Sequence, residues 1–422
     1  MKFEMSKTWW MVLQAMRQVW FVASLYCVAA IMTALLGIMA DPLIPESLQD
    51  IIGRGAVNSL LTIIASSMLS VLVFSLNTLV QASTAAASNA TPRAVGTLLQ
   101  DRIAQSALST FLGAFIFSLV GLIALNTSLY GGGGRMILFL VTIAVIVLIV
   151  VTLVRWINYL GHLGQVTKTI SQVESASCPS MEHYRRAPYL HARPQEGPIP
   201  HGVLMIEHDQ IGYLRFIDVP ALDQIADRLE ANIHVFERPG AFVTPGRHIA
   251  GLDLKEGSDA IDDETRDALR EAFTIGDARS YDQDPLYGLT VLSQIAMRAL
   301  SPGINDPGTA IDVIGNLVRI MASGKKAEAD VHHGRVFIPA IETDDFFDAA
   351  FTGISRDGAD KVEVGLRLQH AFESLSLLPF AGYGEHARGY SAQALERARK
   401  MLDFENDIKR LEASARKGRL LP

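Results

Sequence analysis

The run MILFLVTIAVIVLIVVTLV, Met136–Val154, holds no Asp, Glu, Lys or Arg. As a helix it would extend about 28 Å at 1.5 Å per residue, close to the roughly 30 Å hydrocarbon core of a bilayer. Three further charge-free stretches precede it: Gln18–Ala40, Gly55–Pro92 and Ile103–Gly134. Each contains a segment long enough to span. The pattern predicts four transmembrane helices at about 20–39, 57–80, 107–125 and 136–156. An interfacial lead-in helix over 1–19 is expected before them, anchored by Trp9, Trp10 and Trp20. The first apolar segment is longer than a signal-peptide core and is followed by acidic residues, so it is expected to persist as a helix.

Beyond the fourth span the chain changes character. Residues 1–170 carry nine Lys/Arg and five Asp/Glu, whereas the rest of the 422 residues carry 28 and 39. The expected fold class is an α-helical integral membrane protein: a four-helix transmembrane domain (20–156) followed by a cytoplasmic α+β domain. The latter divides into a helical extension and linker (157–200), a small β-rich, sandwich-like part (201–255) and a mainly helical part (256–422). The partners this implies are the lipid bilayer and further copies of the chain. No nucleic-acid partner and no cofactor are expected.

Charge placement orients the spans. Lys2, Lys7 and Arg17 precede the first, Arg93 and Arg102 follow the second, and Arg155, Lys168, Arg185 and Arg186 follow the fourth. The loop after the first span holds Asp41, Glu46 and Asp50 against Arg54. Lys and Arg accumulate on the cytoplasmic side, so both termini are expected there; Arg135 alone dissents. Cys27 and Cys178 suggest neither a disulfide framework nor a zinc site.

The second span is unusual. Asn58, Thr62, Ser66, Ser70, Asn77, Gln81 and Thr84 recur at steps of three, four and seven, which places them on one helical face. Leu61, Ile64, Leu69, Leu72, Leu76 and Leu79 are expected opposite. Two readings are open: a helix whose small residues let neighbours approach, or the lining of a pore in an oligomer. No span holds a charge near its middle, which argues against proton-coupled transport and voltage sensing. A helix from Gly55 to Pro92 would be about 57 Å long, so its end from Gln81 onward is expected to protrude. The fourth span is expected to continue as a helix past Arg155, and Cys178–His201, rich in Pro and His, to be a loop.

Farther on, Gly202–Ile206, Tyr213–Ile217 and Ile233–Glu237 have strand character, with a helix over Pro220–Asn232. Pro239-Gly240 and Pro245-Gly246 bracket a short strand in a pattern similar to half a lipoyl-type domain. The nearby Lys255 lies outside such a hairpin, so no lipoyl or biotin attachment is expected. Helices are predicted at Asp262–Thr274, Leu286–Leu300, Thr309–Ala322, Lys361–Leu377 and Ser391–Ala415, with a charged loop over Gly324–Val336. Within this part, Asp284-Pro285 and Asp306-Pro307 have the form of helix caps followed by Pro at the first helical position. The alternative gathers Arg279, Asp282, Asp284, Asn305 and Asp306 at the same ends of neighbouring helices, as a polar pocket for a small ligand or hard cation. No nucleophile triad, phosphate loop or HExxH motif is present, and no metal ligand set is assigned.

Arg279–Asp284, the run Ile295–Ala310 containing SPGINDPGTA, Thr91-Pro92-Arg93, Asp101, Phe111–Phe115 and Pro239–Val243 together resemble a bacterial family of predicted membrane proteins, the domain of unknown function 2254. The resemblance spans nearly the whole chain. It implies a bacterial inner-membrane location with four spans, and no activity. The leading functional expectation is a homo-oligomeric, channel-like pore with a cytoplasmic sensing or gating domain. A membrane-anchored sensor or scaffold without a pore is the alternative, and an anchored enzyme the third.

Overall fold

The computed structural model describes residues 21, 24–29, 31–33, 54–94, 101–127, 132–161, 164–254, 261–325 and 331–420. The expected lead-in helix, both ends of the first span, the acidic loop after it and Lys255 lie outside the described residues. The chain forms two compact units, one within residues 11–88 and 95–168 and the other within 89–94 and 169–422.

The first unit is built on α1 (Arg54–Asn89), α2 (Arg102–Asn126) and α3 (Gly132–Leu160). All three are long and apolar enough to cross a membrane, over Gly55–Ser88, Ile103–Asn126 and Gly134–Leu160. In the first predicted span, the described residues form an apolar helix at Ser24–Thr33, shorter than a bilayer crossing. Asp101 starts α2 by accepting from the Ile103 backbone N–H at 2.8 Å. The central α2 lends its small residues to its neighbours. A Cβ at Gly113 would overlap the Tyr26 ring, and the Tyr26 hydroxyl lies 3.2 Å from Thr110 Oγ1. On α1 the buried positions are Val57, Leu61, Ile64, Ala65, Met68, Ser75, Leu79, Ala82 and Ala86, which apart from Ala65 recur at steps of three, four and seven. The expected apolar face is therefore partly corrected. Leu61, Ile64 and Leu79 are buried, but Leu69 and Leu76 are exposed. Ala65, Ser75, Ala82 and Ala86 are buried as well, and α1 meets α2 and α3 through longer side chains such as Leu61, which lies against Gly121.

Past α3 the expected continuous helix is interrupted. α3 ends at Leu160, Gly164 adopts φ +80°, and α4 (Val166–Arg186) begins afresh. α4 then runs through Cys178–Arg186, which was expected to be a loop, with Pro179 inside it. Tertiary packing overrides the proline there. Thr169, Ile170, Val173, Ser177, Ser180 and Met181 are buried along one face, and Ser177 seats against Gly288, where a Cβ would overlap it.

The second unit contains two sheets. β1 (Ala192–Pro194), β8 (His333–Ile338), β4 (Asn232–Val235), β6 (His248–Asp253) and β2 (Leu204–Glu207) form a five-stranded mixed sheet in that order. β1 and β4 flank β8 in parallel, and the other pairs are antiparallel. β5 (Phe242–Val243), β3 (Gly212–Ile217) and β7 (Phe273–Gly276) form a three-stranded antiparallel sheet. One hydrophobic core, including Ile206, Leu214, Ile217, Ile233, Leu252, Phe273 and Val336, joins both sheets to α5 (Val219–Leu229) and α6 (Asp263–Glu271). The β-rich part thus does not end at residue 255. β7 occupies the end of the expected Asp262–Thr274 helix, and β8 lies in the expected charged loop. Each pairs with strands distant in sequence, β7 at the edge of its sheet beside β3 and β8 between β1 and β4.

Helices then dominate: α7 (Pro285–Leu300), α8 (Pro307–Ala322), α9 (Thr343–Phe347), a π-turn at Asp348–Thr352, α10 (Gly353–Asp357), α11 (Val362–Ser376), α12 (Tyr383–Met401) and α13 (Glu405–Lys417). The single helix expected over Ser391–Ala415 is two. The chain breaks at Leu402–Phe404, and Leu411 and Ala415 of α13 pack on Leu395 and Ala398 of α12.

Candidate functional site

Two sets of residues carry the candidate chemistry, one in each unit. On α1 every member of the polar row, Asn58, Thr62, Ser66, Ser70, Asn77, Gln81 and Thr84, is exposed. The hydroxyls are paired within the helix itself. Thr62 Oγ1 donates to the Asn58 carbonyl at 2.8 Å, Ser66 to that of Thr62 at 3.0 Å, and Ser70 to that of Ser66 at 3.1 Å. Thr84 donates to the Val80 carbonyl at 3.0 Å. Such i−4 bonding satisfies the hydroxyl proton but leaves oxygen lone pairs facing outward. Asn58, Asn77 and Gln81 carry carboxamides on the same exposed face, and these still demand polar surroundings.

In the second unit, Arg279 and Asp284 form a bidentate pair, Nε to Oδ2 at 2.7 Å and Nη2 to Oδ1 at 2.9 Å. Asp284 is 2% exposed. Its Oδ1 also accepts from the backbone N–H of Leu286 at 3.2 Å and of Tyr287 at 3.1 Å, capping α7. Burial pushes this carboxyl above its ordinary value, while Arg279 and the two backbone donors pull the other way. Every contact is a donor, which suits the ionised form. The Arg279 guanidinium also lies 5.2 Å from the centre of the Tyr287 ring, and Tyr281 stands 4.7 Å from the same ring. Burial raises the Tyr281 hydroxyl strongly.

The Pro239-Gly240 turn closes this pair from the other side. Gly240 has φ +100°, and a Cβ there would overlap Asp284 Oδ2. Only glycine meets both conditions. Beside it, Arg238 donates to the carbonyls of Pro188, at 2.9 Å, and Pro339. Gln283 holds β3 through its amide, accepting from Ile217 N–H at 2.8 Å and donating to Ile217 O at 3.2 Å. Arg238, Gly240 and Gln283 are missed by sequence reasoning. The only signal for Gly240 is its place in the Pro-Gly turn, which says nothing of what the turn touches.

The five expected ligand residues do not converge. Asp284 precedes α7 and Asn305 and Asp306 follow it, so the two groups lie at opposite ends of a helix about 24 Å long. The expected placement at the same helix ends is thereby corrected: a six-residue connection after α7 puts the start of α8 at the far end. Asp282 is half-buried on the loop before Asp284. Asn305 adopts φ +50°, a conformation Asn tolerates well. Asp306 caps α8, accepting from Thr309 N–H at 3.1 Å and Thr309 Oγ1 at 2.6 Å, which holds its carboxyl below the usual range. Ser301–Asp306 is a surface loop, with Pro302 to Asp306 exposed.

Comparisons agree with helices long and apolar enough to cross a membrane. The chain is similar to uncharacterized proteins of Mycobacterium bovis and Mycobacterium tuberculosis, each 26% identical over 297 residues. That alignment covers 67% of this chain and 55% of theirs, so the chain spans about half the length of these curated relatives. No solved structure matches. A model of the family described as "Predicted membrane protein (DUF2254)" matches residues 16–374. With a match over most of its length, and with the SPGINDPG loop and the Arg279–Asp284 cap both inside it, the chain belongs to the predicted membrane protein family DUF2254.

Proposed function

We propose that this is a four-span protein of the bacterial inner membrane, with cytoplasmic termini, that assembles as a homo-oligomeric pore. In the proposed assembly the α1 helices of several copies turn their hydroxyl and carboxamide rows toward a common axis. The observation that carries this reading is the exposure of all seven row residues from the chain's own helices. An outward row of oxygens and amides in lipid is costly, whereas around an axis it meets water and its symmetry mates. Neutral oxygen ligands suit the passage of ions or small polar solutes without tight binding. The C-terminal unit would act as gate or assembly platform, with Asn305 and Asp306 its exposed candidates for a small ligand or ion.

The test is cysteine reactivity in reconstituted full-length protein. Cysteine at Thr62, Ser66 or Ser70 is expected to react with small hydrophilic thiol reagents, and cysteine at Leu61, Ile64 or Met68 is not. Ser66→Asp is expected to change the ion preference of the conductance. Unreactive cysteines on both faces, in a defined oligomer without conductance, would remove the pore. A second reading, an anchored sensor or scaffold without a pore, is favoured by the hydroxyls' own i−4 bonds, which make a lipid-facing row less costly. It predicts quenching of reporters at Ser66 by lipid-borne rather than aqueous quenchers.

A further inference from the structure

The first unit contains a cavity of about 550 Å³ lined by Ile103, Arg155, Asn158, Tyr159 and Lys168. It lies where α2 begins and α3 ends, with Lys168 supplied by the start of α4. Two cations therefore converge on one cavity. Among the described residues neither has a carboxylate partner. Among the described residues of this unit, Arg102 at the start of α2 belongs to the same end, while Arg54 and Arg135 start α1 and α3.

Depth identifies the occupant. The charge-free run Met136–Val154 accounts for about 28 Å of helix, nearly the whole hydrocarbon thickness, so Arg155 falls at headgroup level. Tyr159 lines the cavity and stacks on Trp156 at 5.5 Å between ring centres. An aromatic pair at this depth is typical of the bilayer interface. On the apolar side of Arg155, Val147, Val150, Val151 and Val154 are exposed along α3, and Ile103 is exposed at the cavity. The cavity thus offers two cations for a phosphate and an amide beside them, and exposed valines lie one to two helical turns along α3 toward the hydrocarbon.

We propose that this cavity binds an anionic glycerophospholipid. Arg155 and Lys168 would hold the phosphate, Asn158 and the interfacial Tyr159 the glycerol region, and the exposed α3 valines an acyl chain. A free phosphate would use the same cations but gain nothing from the valines. The inference does not depend on the pore, since it concerns a single chain's own cavity.

The experiment is lipid binding to the detergent-purified full chain, read as retained adducts in native mass spectrometry. Phosphatidylglycerol is expected to be retained over phosphatidylcholine, with millimolar inorganic phosphate failing to displace it. Basic groups near a bilayer contribute about 1 kcal/mol each, so Arg155→Gln with Lys168→Gln should weaken retention about 30-fold. Arg155→Lys with Lys168→Arg should restore it, and Arg135→Gln, a control away from the cavity, should leave it unchanged. In a variant whose sole tryptophan is Trp156, phosphatidylglycerol with brominated chains should quench its emission. Equal retention of both lipids, displacement by phosphate, or an unchanged double Gln variant would each overturn the proposal. If the double Gln variant fails to fold, absence of Trp156 quenching by the brominated lipid overturns it instead.

Discussion

Two Asp-Pro pairs look alike in sequence but carry different loads. Asp306 sits on the surface and serves one helix end, so Asp306→Ala should cost about 0.5–2 kcal/mol, the usual value of a cap. Asp284 is buried against Arg279, and Asp284→Ala would strand a guanidinium, a loss of about 3–5 kcal/mol. Thermal unfolding of the detergent-solubilised chain should therefore show a much larger drop for Asp284→Ala; equal drops would contradict the burial argument. The reason the two differ, the Gly240 turn lying on Asp284, is nowhere in their local sequences. A second expectation concerns His183. Burial lowers its pKa, helped by His191, whose ring lies 6.4 Å away, and by Arg186. A histidine depressed in the folded state contributes stability above its unfolded value of about 6.5 and loses it as pH falls. Acidification from pH 7 to 5 should lower the unfolding midpoint of the chain, and His183→Gln should flatten that slope. An identical slope in the variant would assign the acid sensitivity elsewhere.

Among elements, α1 and α2 show how far helical periodicity reaches. The polar row of α1 was legible because residues spaced three, four and seven apart must share a face. Which apolar residues would face α2 and α3 was not, since leucines cover most of the remaining circumference and only close packing selects Leu61 over Leu69. In α2 the structure supplies a close partner for Gly113, the Tyr26 ring. Gly113→Ala should therefore destabilise the chain. The same change in a Tyr26→Ala background should cost much less, because the overlapping ring is gone. Additive effects in that double-mutant cycle, measured from unfolding midpoints, would mean the two residues do not meet. Periodicity failed at Leu402–Phe404, where one continuous helix was expected. The same pattern fits two helices folded against each other, and the contact of Leu411 and Ala415 with α12 decides between them.

At the scale of the whole molecule, the proposed cytoplasmic placement of the C-terminal unit can be checked through Cys178. Its thiol pKa is raised, first by burial and then by Glu174, so it should react slowly at neutral pH and faster near pH 9. An impermeant maleimide should leave it unlabelled in intact cells and label it after permeabilisation. Cysteine at the exposed Glu196, in a Cys178→Ser background, gives a fast reporter of the same topology. Labelling of either site in intact cells would reverse the orientation. The sequence by itself determined three of the four expected spans as helices long and apolar enough to cross a membrane, the polar row on α1 and the caps at Asp284 and Asp306, along with the family. Each of these is a local property: a length matched to a bilayer, a period matched to a helix, a side chain beside its own backbone. Tertiary structure alone decided that β7 and β8 join sheets begun far upstream, that α4 carries Pro179, and that Arg279 and Asp284 lie beneath Gly240 while Asn305 and Asp306 lie a helix length away. Those outcomes depend on contacts between distant segments, and a chain's local pattern holds no record of which distant surface will cover it.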